Sequence, residues 1–210
     1  MLAAFVSSFV TLFIVIDPIM VTPIFASLTH GEAPARQRRL ALEATLIAAG
    51  ILAFFGFAGE AMLHHLGITM PAFRTAGGIL LFLMGFRMFF APDSETEART
   101  PGPKASAREN PAFFPIAMPL LAGPGAIATM MLLMHPGEAG WSGQAMVMAA
   151  MLATLVVGFV IMMFAAPISN ALGRTGQNMI SRLLGMLLMA LSTQYVFDGV
   201  VEGVLKRAAA

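Results

Sequence analysis

The sequence contains no cysteine and few charged residues. None of its 210 residues is Cys, and only 11% are Asp, Glu, Lys or Arg, against roughly 25% in soluble domains. The missing thiols exclude disulfides and thiolate metal sites, and a net charge of +1 gives no indication of nucleic-acid binding. With 58% hydrophobic residues, the composition is typical of a polytopic membrane protein whose main partner is the lipid bilayer.

Six apolar stretches are long enough to cross a bilayer, which takes about 20 residues of helix. They cover residues 2–28, 41–63, 71–91, 112–134, 144–171 and 179–201. The only long connection, 92–110, is rich in charge, Pro, Ser and Gly, which predicts a flexible loop. We therefore predict an all-α polytopic membrane protein with six transmembrane helices.

Basic residues are distributed unequally between the two sides of this arrangement. Nine of them fall on the first, third and fifth loops or the adjoining helix ends: Arg36, Arg38, Arg39, Arg87, Arg99, Lys104, Arg108, Arg174 and Arg182. The side that holds the termini has three, namely Arg74, Lys206 and Arg207. Because cytoplasmic loops carry the excess of Lys and Arg, both termini are predicted to lie outside the cytoplasm.

The two halves of the chain repeat the same pattern. Pro119 follows Pro18, and Pro124 follows Pro23, by the same 101 positions. Arg182 and Gly185 likewise follow Arg74 and Gly77 by the same 108 positions. The sequence thus predicts two three-helix repeats, 1–91 and 111–210. An odd number of spans in each repeat makes them inverted relative to each other, as in many secondary transporters.

Each predicted repeat contains a helix that prolines break inside the membrane. Proline removes a backbone N–H and clashes with the carbonyl four residues earlier. Irregular backbone is tolerated there only when protein or a wet cavity covers it. Segments 17–23 and 119–125 are therefore expected to face each other at the centre of the bundle. Asp17 and Pro18 further predict an N-cap and a first helical turn, and residues 122–126 predict a similar restart.

These breaks suggest a substrate site near the midplane. Half-helix N-termini, including backbone N–H groups near Gly123 and Gly125, suit a carboxylate. Asp17, an ionisable group inside the membrane, suits an ammonium group, H⁺ or Na⁺. The predicted substrate-binding residues are Asp17, Pro18, Thr22, Pro23, Gly123, Pro124, Gly125, Thr129 and Gln194. The alternative is that the kinks only shape packing, with Asp17 as a cap and the two threonines bonding freed carbonyls.

Three segments resemble the MarC family of bacterial inner-membrane proteins: "IDPIMVTPIFASLT" (16–29), "FRTAGGILLFLMGFRM" (73–88) and "IAMPLLAGPGAIATMM" (116–131). The resemblance covers essentially the whole chain, and the family includes proteins described as small neutral amino acid transporters. It implies an inverted-repeat transporter-like fold in the bacterial inner membrane, with both termini periplasmic. This sequence departs from the family at Met20 and Val21, where relatives commonly carry Gly and Asn.

Other residues are predicted to shape or gate the bundle. Arg74 and Arg182 begin equivalent helices on opposite membrane faces. Each is expected either to extend to the interface or to bond loose carbonyls of a neighbouring broken helix. Gly77, Gly78, Gly85 and Gly185 are expected to permit close helix contact.

Functions other than transport are also considered. An intramembrane enzyme is disfavoured, because the chain lacks GxSG and HExxH motifs and its only aspartates are Asp17, Asp93 and Asp198. The 18 methionines suit either Cu(I) or flexible packing, so a metal ion or a drug is an alternative substrate. A membrane scaffold that does not transport, or a stress- or resistance-related protein, would assemble without the Asp17 carboxylate. We expect no cofactor, and a homo-oligomer is an open alternative.

Overall fold

In a computed structural model the chain folds into a bundle of helices. The structure describes residues 2–90, 111–135 and 140–208, and these ranges contain no strand. The helices are α1 (Leu2–Ile16), α2 (Pro18–Leu28), α3 (Pro34–His65), α4 (Met70–Phe90), α5 (Ala112–Leu121), α6 (Pro124–Met134), α7 (Gly140–Met163) and α8 (Ala165–Ala208). The all-α prediction is confirmed for this part of the chain. The loop predicted at 92–110 lies outside the described residues.

Four helices are long and apolar enough to cross a membrane: α3, α4, α7 and the part of α8 from Thr175 to Leu205. Two bent pairs could each supply one more span. α1 and α2 meet at 41°, and α5 and α6 meet at 56°. The described residues therefore contain four to six candidate spans, and both bends fall where the prolines and Asp17 predict them.

The fifth predicted span, 144–171, is wrong at its C-terminal end. α7 ends at Met163, and α8 begins at Ala165 after a turn at Phe164. Pro167 accounts for the interruption, because it has no N–H to donate to the carbonyl of Met163. α8 is itself interrupted at Gly173, whose φ of 60° and ψ of 177° form a combination that is essentially restricted to glycine.

The two bent pairs occupy the centre of the bundle. Leu12, Phe25, Ile116, Leu121 and Met130 come from these pairs and are fully buried in one hydrophobic core. The long helices expose large apolar side chains on their outer faces, as helices in contact with lipid do. Asp17 and Ala122, at the two breaks, are buried in protein, as the cost of unpaired backbone groups in hydrocarbon requires.

Glycines bring α4 and α8 into backbone contact. A Cβ added to Gly85 would lie 2.7 Å from the carbonyl oxygen of Gly185, and one on Gly185 would lie 2.8 Å from that of Gly85. A Cβ added to Gly78 would lie 2.9 Å from the carbonyl oxygen of Ser192. Gly77 instead faces α6, where an added Cβ would have only ordinary contacts.

Candidate functional site

The first break is built on the conformation of Asp17. Its φ of 44° and ψ of 66° place it in the left-handed region, which Asp and Asn tolerate better than other residues with a side chain. Its Oδ1 accepts a hydrogen bond from the N–H of Met20 at 3.3 Å, and Pro18 occupies the first position of α2. The predicted N-cap is confirmed. The break also places a carboxylate inside the bundle, where Asp17 is 4% exposed.

The second break separates α5 from α6. α5 is irregular, with extended backbone at Phe114 and Met118, as expected for residues that precede proline. Gly123 caps α6, and Pro124 takes the first helical position, which confirms the predicted restart. A Cβ on Gly123 would collide with the carbonyl oxygen of Pro119, so only glycine fits this turn.

A cavity of about 160 Å³ lies between the two broken helices. The first broken helix supplies much of its wall, including Asp17, Met20 and Pro23, and α5 supplies Pro119 and Leu120. Parts of the two segments that were expected to meet at the centre of the bundle, 17–23 and 119–125, therefore do meet at this cavity.

The polar part of the cavity wall comes from Asp17 and α8. The hydroxyl Oγ of Ser181 donates to Oδ2 of Asp17 at 3.4 Å, and this pair is buried. Asn178, Ser181 and Arg182 line the cavity together because positions i, i+3 and i+4 share one face of a helix. The site thus combines a buried carboxylate, a hydroxyl, an amide and a guanidinium.

The remaining wall is apolar and rich in methionine. Met84 and Met88 project from successive turns of α4, and Met20 approaches from α2. Methionine is unbranched and flexible, so it adapts to ligands of different shapes. The cavity therefore offers one polar side and one deformable apolar side to a small ligand.

Sequence reasoning placed several other residues at this site, and the structure separates them from the cavity wall. Pro18 is buried behind it, and Thr22 donates to the carbonyl of Pro18 at 3.3 Å. Gly125 packs against α4, and the buried hydroxyl of Thr129 has no hydrogen-bond partner among the described residues. Like Gly123 and Pro124, these residues do not line the described cavity.

Gln194 lies away from the cavity. Its side chain is on an exposed face of α8, where Nε2 donates to Oδ1 of Asp198 at 2.7 Å. The polar residues of the sixth span that do line the cavity, Asn178, Ser181 and Arg182, lie near its other end. Their i, i+3, i+4 spacing could have indicated a common face, although sequence alone does not show what that face contacts.

Arg74 and Arg182, which occupy equivalent positions in the two predicted repeats, have different surroundings. Arg74 forms an ion pair with Glu202, with 3.0 Å between Nη1 and Oε2, and so links α4 to α8. The sequence predicts either extension to the interface or bonding to a broken helix for Arg74, and no sequence pattern connects Arg74 with Glu202. Arg182 lines the cavity.

Comparison with known proteins identifies the family. The profile described as "MarC family integral membrane protein" matches residues 2–204. A UPF0056 membrane protein of Aquifex aeolicus is 35% identical over 196 residues, covering 93% of this chain and 91% of its own length. The UPF0056 inner membrane protein YhgN of Escherichia coli K12 is 35% identical over 197 residues, covering 93% of this chain and 95% of YhgN. No solved structure matches significantly.

The chain therefore belongs to the MarC family. The family description and the similarity to YhgN identify a multi-pass protein of the inner membrane. The names of these relatives state no function, so function has to be argued from the site.

Proposed function

We propose that this MarC-family protein is a secondary transporter of small neutral amino acids such as glycine and alanine, with its substrate site in the cavity between the two broken helices. The observation that carries the proposal is the buried carboxylate of Asp17 at the edge of that cavity. Capping α2 does not require a charge, because Asn and Ser cap about as well as Asp. A carboxylate retained at this depth, despite its desolvation cost, indicates a function.

In this proposal Asp17 binds the substrate ammonium group or a coupling H⁺ or Na⁺. On the other broken helix, Pro119 and Leu120 of α5 complete the wall of the site. A cavity lined by residues of both broken helices lets the substrate contact the two halves of the bundle at once. That arrangement is what alternating access between two inverted repeats needs.

Matching hydrogen bonds support the inverted repeats. Nε2 of Gln37, in the first turn of α3, donates to the carbonyl of Thr29 at 3.1 Å. Nε2 of Gln144, near the start of α7, donates to the carbonyl of Met134, also at 3.1 Å. In each half, therefore, a glutamine of the second span caps the end of the broken first span.

A second matching pair lies further along the same helices. Thr45 in "ALEATL" donates to the carbonyl of Ala41 at 2.8 Å. Thr154 in "AMLATL" donates to the carbonyl of Ala150 at 2.9 Å. The shared motif and its shared bond are further signs that 1–91 and 111–210 descend from one three-helix unit.

We expect the cavity and the Arg74–Glu202 ion pair to lie towards opposite faces of the membrane. Met88 is near the C-terminal end of α4, and Ser181 is near the start of the span in α8. In the predicted orientation both are on the cytoplasmic half. The other ends of these helices are joined by the Arg74–Glu202 ion pair, which we propose as the periplasmic gate.

Charge reversal tests this gate. Arg74→Glu or Glu202→Arg alone places like charges together, so we expect uptake to fall about two- to fivefold, the scale of a partly exposed ion pair. The double variant restores the attraction and should restore uptake. If uptake by the double variant is as slow as uptake by either single variant, the ion pair has no role as a gate.

The predicted orientation has its own test, since the chain contains no cysteine. His30, which precedes α3, and His64, in its last turn, are exposed and flank this candidate span on opposite sides. With a membrane-impermeant maleimide on intact cells, we expect labelling of His64→Cys and none of His30→Cys until the cells are opened. The reverse pattern would place the termini in the cytoplasm.

Uptake by the purified protein in proteoliposomes tests the proposed function itself. We expect saturable uptake of labelled glycine and alanine that depends on an imposed H⁺ or Na⁺ gradient. Empty liposomes provide the background. Absence of uptake for every small neutral amino acid under every gradient would reject the assignment and favour a scaffold.

A further inference from the structure

An acidic and a basic side chain lie on adjacent parts of the cavity wall. The carboxylate of Asp17 is held by Oγ of Ser181 at 3.4 Å. Arg182 follows Ser181 directly on α8, and its side chain lines the same cavity. A ligand that carries both an ammonium group and a carboxylate would therefore find a partner for each charge on the wall of this cavity.

Arg182 suits the carboxylate for geometric as well as electrostatic reasons. A guanidinium is always charged, and it can donate two parallel hydrogen bonds to the two oxygens of one carboxylate. The residues that sequence reasoning assigned to this role, Gly123 and Gly125, do not line the described cavity. Asn178 lies one turn before Arg182 on the same face and can both donate and accept.

The methionine wall suits an aliphatic side chain. Met20, Met84 and Met88 form a flexible apolar surface together with neighbouring isoleucine and leucine. An apolar cavity of about 150 Å³ is large enough to hold benzene, and this cavity has about 160 Å³. Glycine would leave much of this space unfilled, whereas a branched aliphatic side chain would use it.

We infer that the cavity binds α-amino acids with aliphatic side chains up to about the size of valine. Asp17 binds the ammonium group, Arg182 binds the carboxylate, and the three methionines contact the side chain. This inference rests on the proposed transport function. It adds to that function the residue that recognises the carboxylate and the size class of the substrate.

Competition binding to the purified full-length protein tests the role of Arg182. Labelled L-valine is competed with L-valinamide, which lacks the carboxylate, and with 3-methylbutanoate, which lacks the ammonium group. We expect wild type to prefer valine over valinamide by about tenfold or more, the scale of a hydrogen bond to a charged group. Arg182→Gln should lose that preference while still discriminating against 3-methylbutanoate.

Arg87→Gln is the matched control. Arg87 is exposed near the C-terminal end of α4 and does not line the cavity, so this variant should keep both preferences. Size-exclusion profiles show whether each variant remains folded. If Arg182→Gln misfolds, equal binding of valine and valinamide by wild type would still overturn the role of Arg182.

A second variant tests whether the methionine wall contacts the side chain of the substrate, without changing any charged residue. Met20→Phe adds volume to the methionine wall and should lower affinity for valine several-fold relative to glycine. Unchanged relative affinities would contradict the side-chain assignment.

The outcomes separate this inference from the proposed function. Equal binding of valine and valinamide by wild type, or an undiminished preference in Arg182→Gln, would overturn the role of Arg182. Uptake of alanine or glycine would in that case still support transport. Failure of wild type to bind or take up any amino acid would reject both.

Discussion

Asp17→Asn is expected to lower amino acid uptake by at least about tenfold and to leave the fold intact. The loss follows because a neutral amide cannot replace a carboxylate opposite an ammonium group or a coupling cation, and a hydrogen bond to a charged group is worth about 1.5–3 kcal/mol. Initial rates of labelled alanine uptake into proteoliposomes measure it. The expected loss is large because the Asp17 carboxylate is central to the site.

The same substitution is mild for the structure. Asn tolerates the left-handed conformation of residue 17 and supplies a side-chain oxygen that can accept from the N–H of Met20. It also removes the cost of burying a charge. The thermal unfolding midpoint, Tm, should therefore stay the same or rise. A fall in uptake accompanied by a clear fall in Tm would instead favour a purely structural role for Asp17.

Asp198→Asn is the control for this experiment. Asp198 is an exposed aspartate on α8 that accepts a hydrogen bond from Gln194. It does not line the cavity, so its replacement should leave uptake unchanged. Equal losses in both variants would show that the effect is not specific to the cavity.

Gly185→Ala is expected to destabilise the protein by about 1–3 kcal/mol, the usual cost of overpacking. The new Cβ would lie 2.8 Å from the carbonyl oxygen of Gly85 and 3.0 Å from the backbone N of Phe89. Backbone atoms of a helix cannot move aside as a flexible side chain can, so α4 and α8 must separate. Tm in detergent should fall, by about 2–4 °C for each kcal/mol in a protein of this size.

Gly50→Ala is its matched control. Gly50 lies within α3, and a Cβ there would meet no atom within 4 Å. Alanine has a higher helix propensity than glycine, by about 1 kcal/mol, so Tm should be unchanged or slightly higher. If Gly50→Ala lowered Tm as much as Gly185→Ala, the contact between α4 and α8 would not explain the loss.

The sequence predicts the breaks well because their chemistry is local. Prolines remove helical hydrogen bonds wherever they occur, and Asp17-Pro18 carries a recognisable cap and first turn. The restart at Gly123-Pro124 has the same local origin. The structure places both breaks where the sequence predicts them. Knowing which helices are broken therefore indicates where the cavity lies, because it is between these helices.

Pairings between distant helices could not be predicted in the same way. The bond between Arg74 and Glu202 depends on the relative rotation of two apolar helices, which their hydropathy does not specify. The contact between Ser181 and Asp17 is of the same kind. Gln194 looks like a residue of the bundle interior because it lies inside an apolar span, yet it faces outward and bonds Asp198.

Boundaries were mispredicted where local interactions extend or interrupt a helix. α3 begins at Pro34, before its apolar run, because exposed ion pairs such as Arg39 with Glu43, 2.8 Å apart, support a polar helical turn. α7 ends early because Pro167 interrupts the following turn. Average hydropathy detects neither effect, since it reports only which residues can lie in lipid.

Access to the cavity from the two sides of the membrane tests the central claim most directly. Leu120 lines the cavity, so Leu120→Cys in this cysteine-free chain reports on it, and Leu46→Cys on an exposed face of α3 serves as the lipid-facing control. We expect an impermeant thiol reagent to label Leu120→Cys from each side in turn and alanine to protect it, while the control stays unlabelled. Labelling from one side only, or none from either side, would contradict an alternating-access transport site at this cavity.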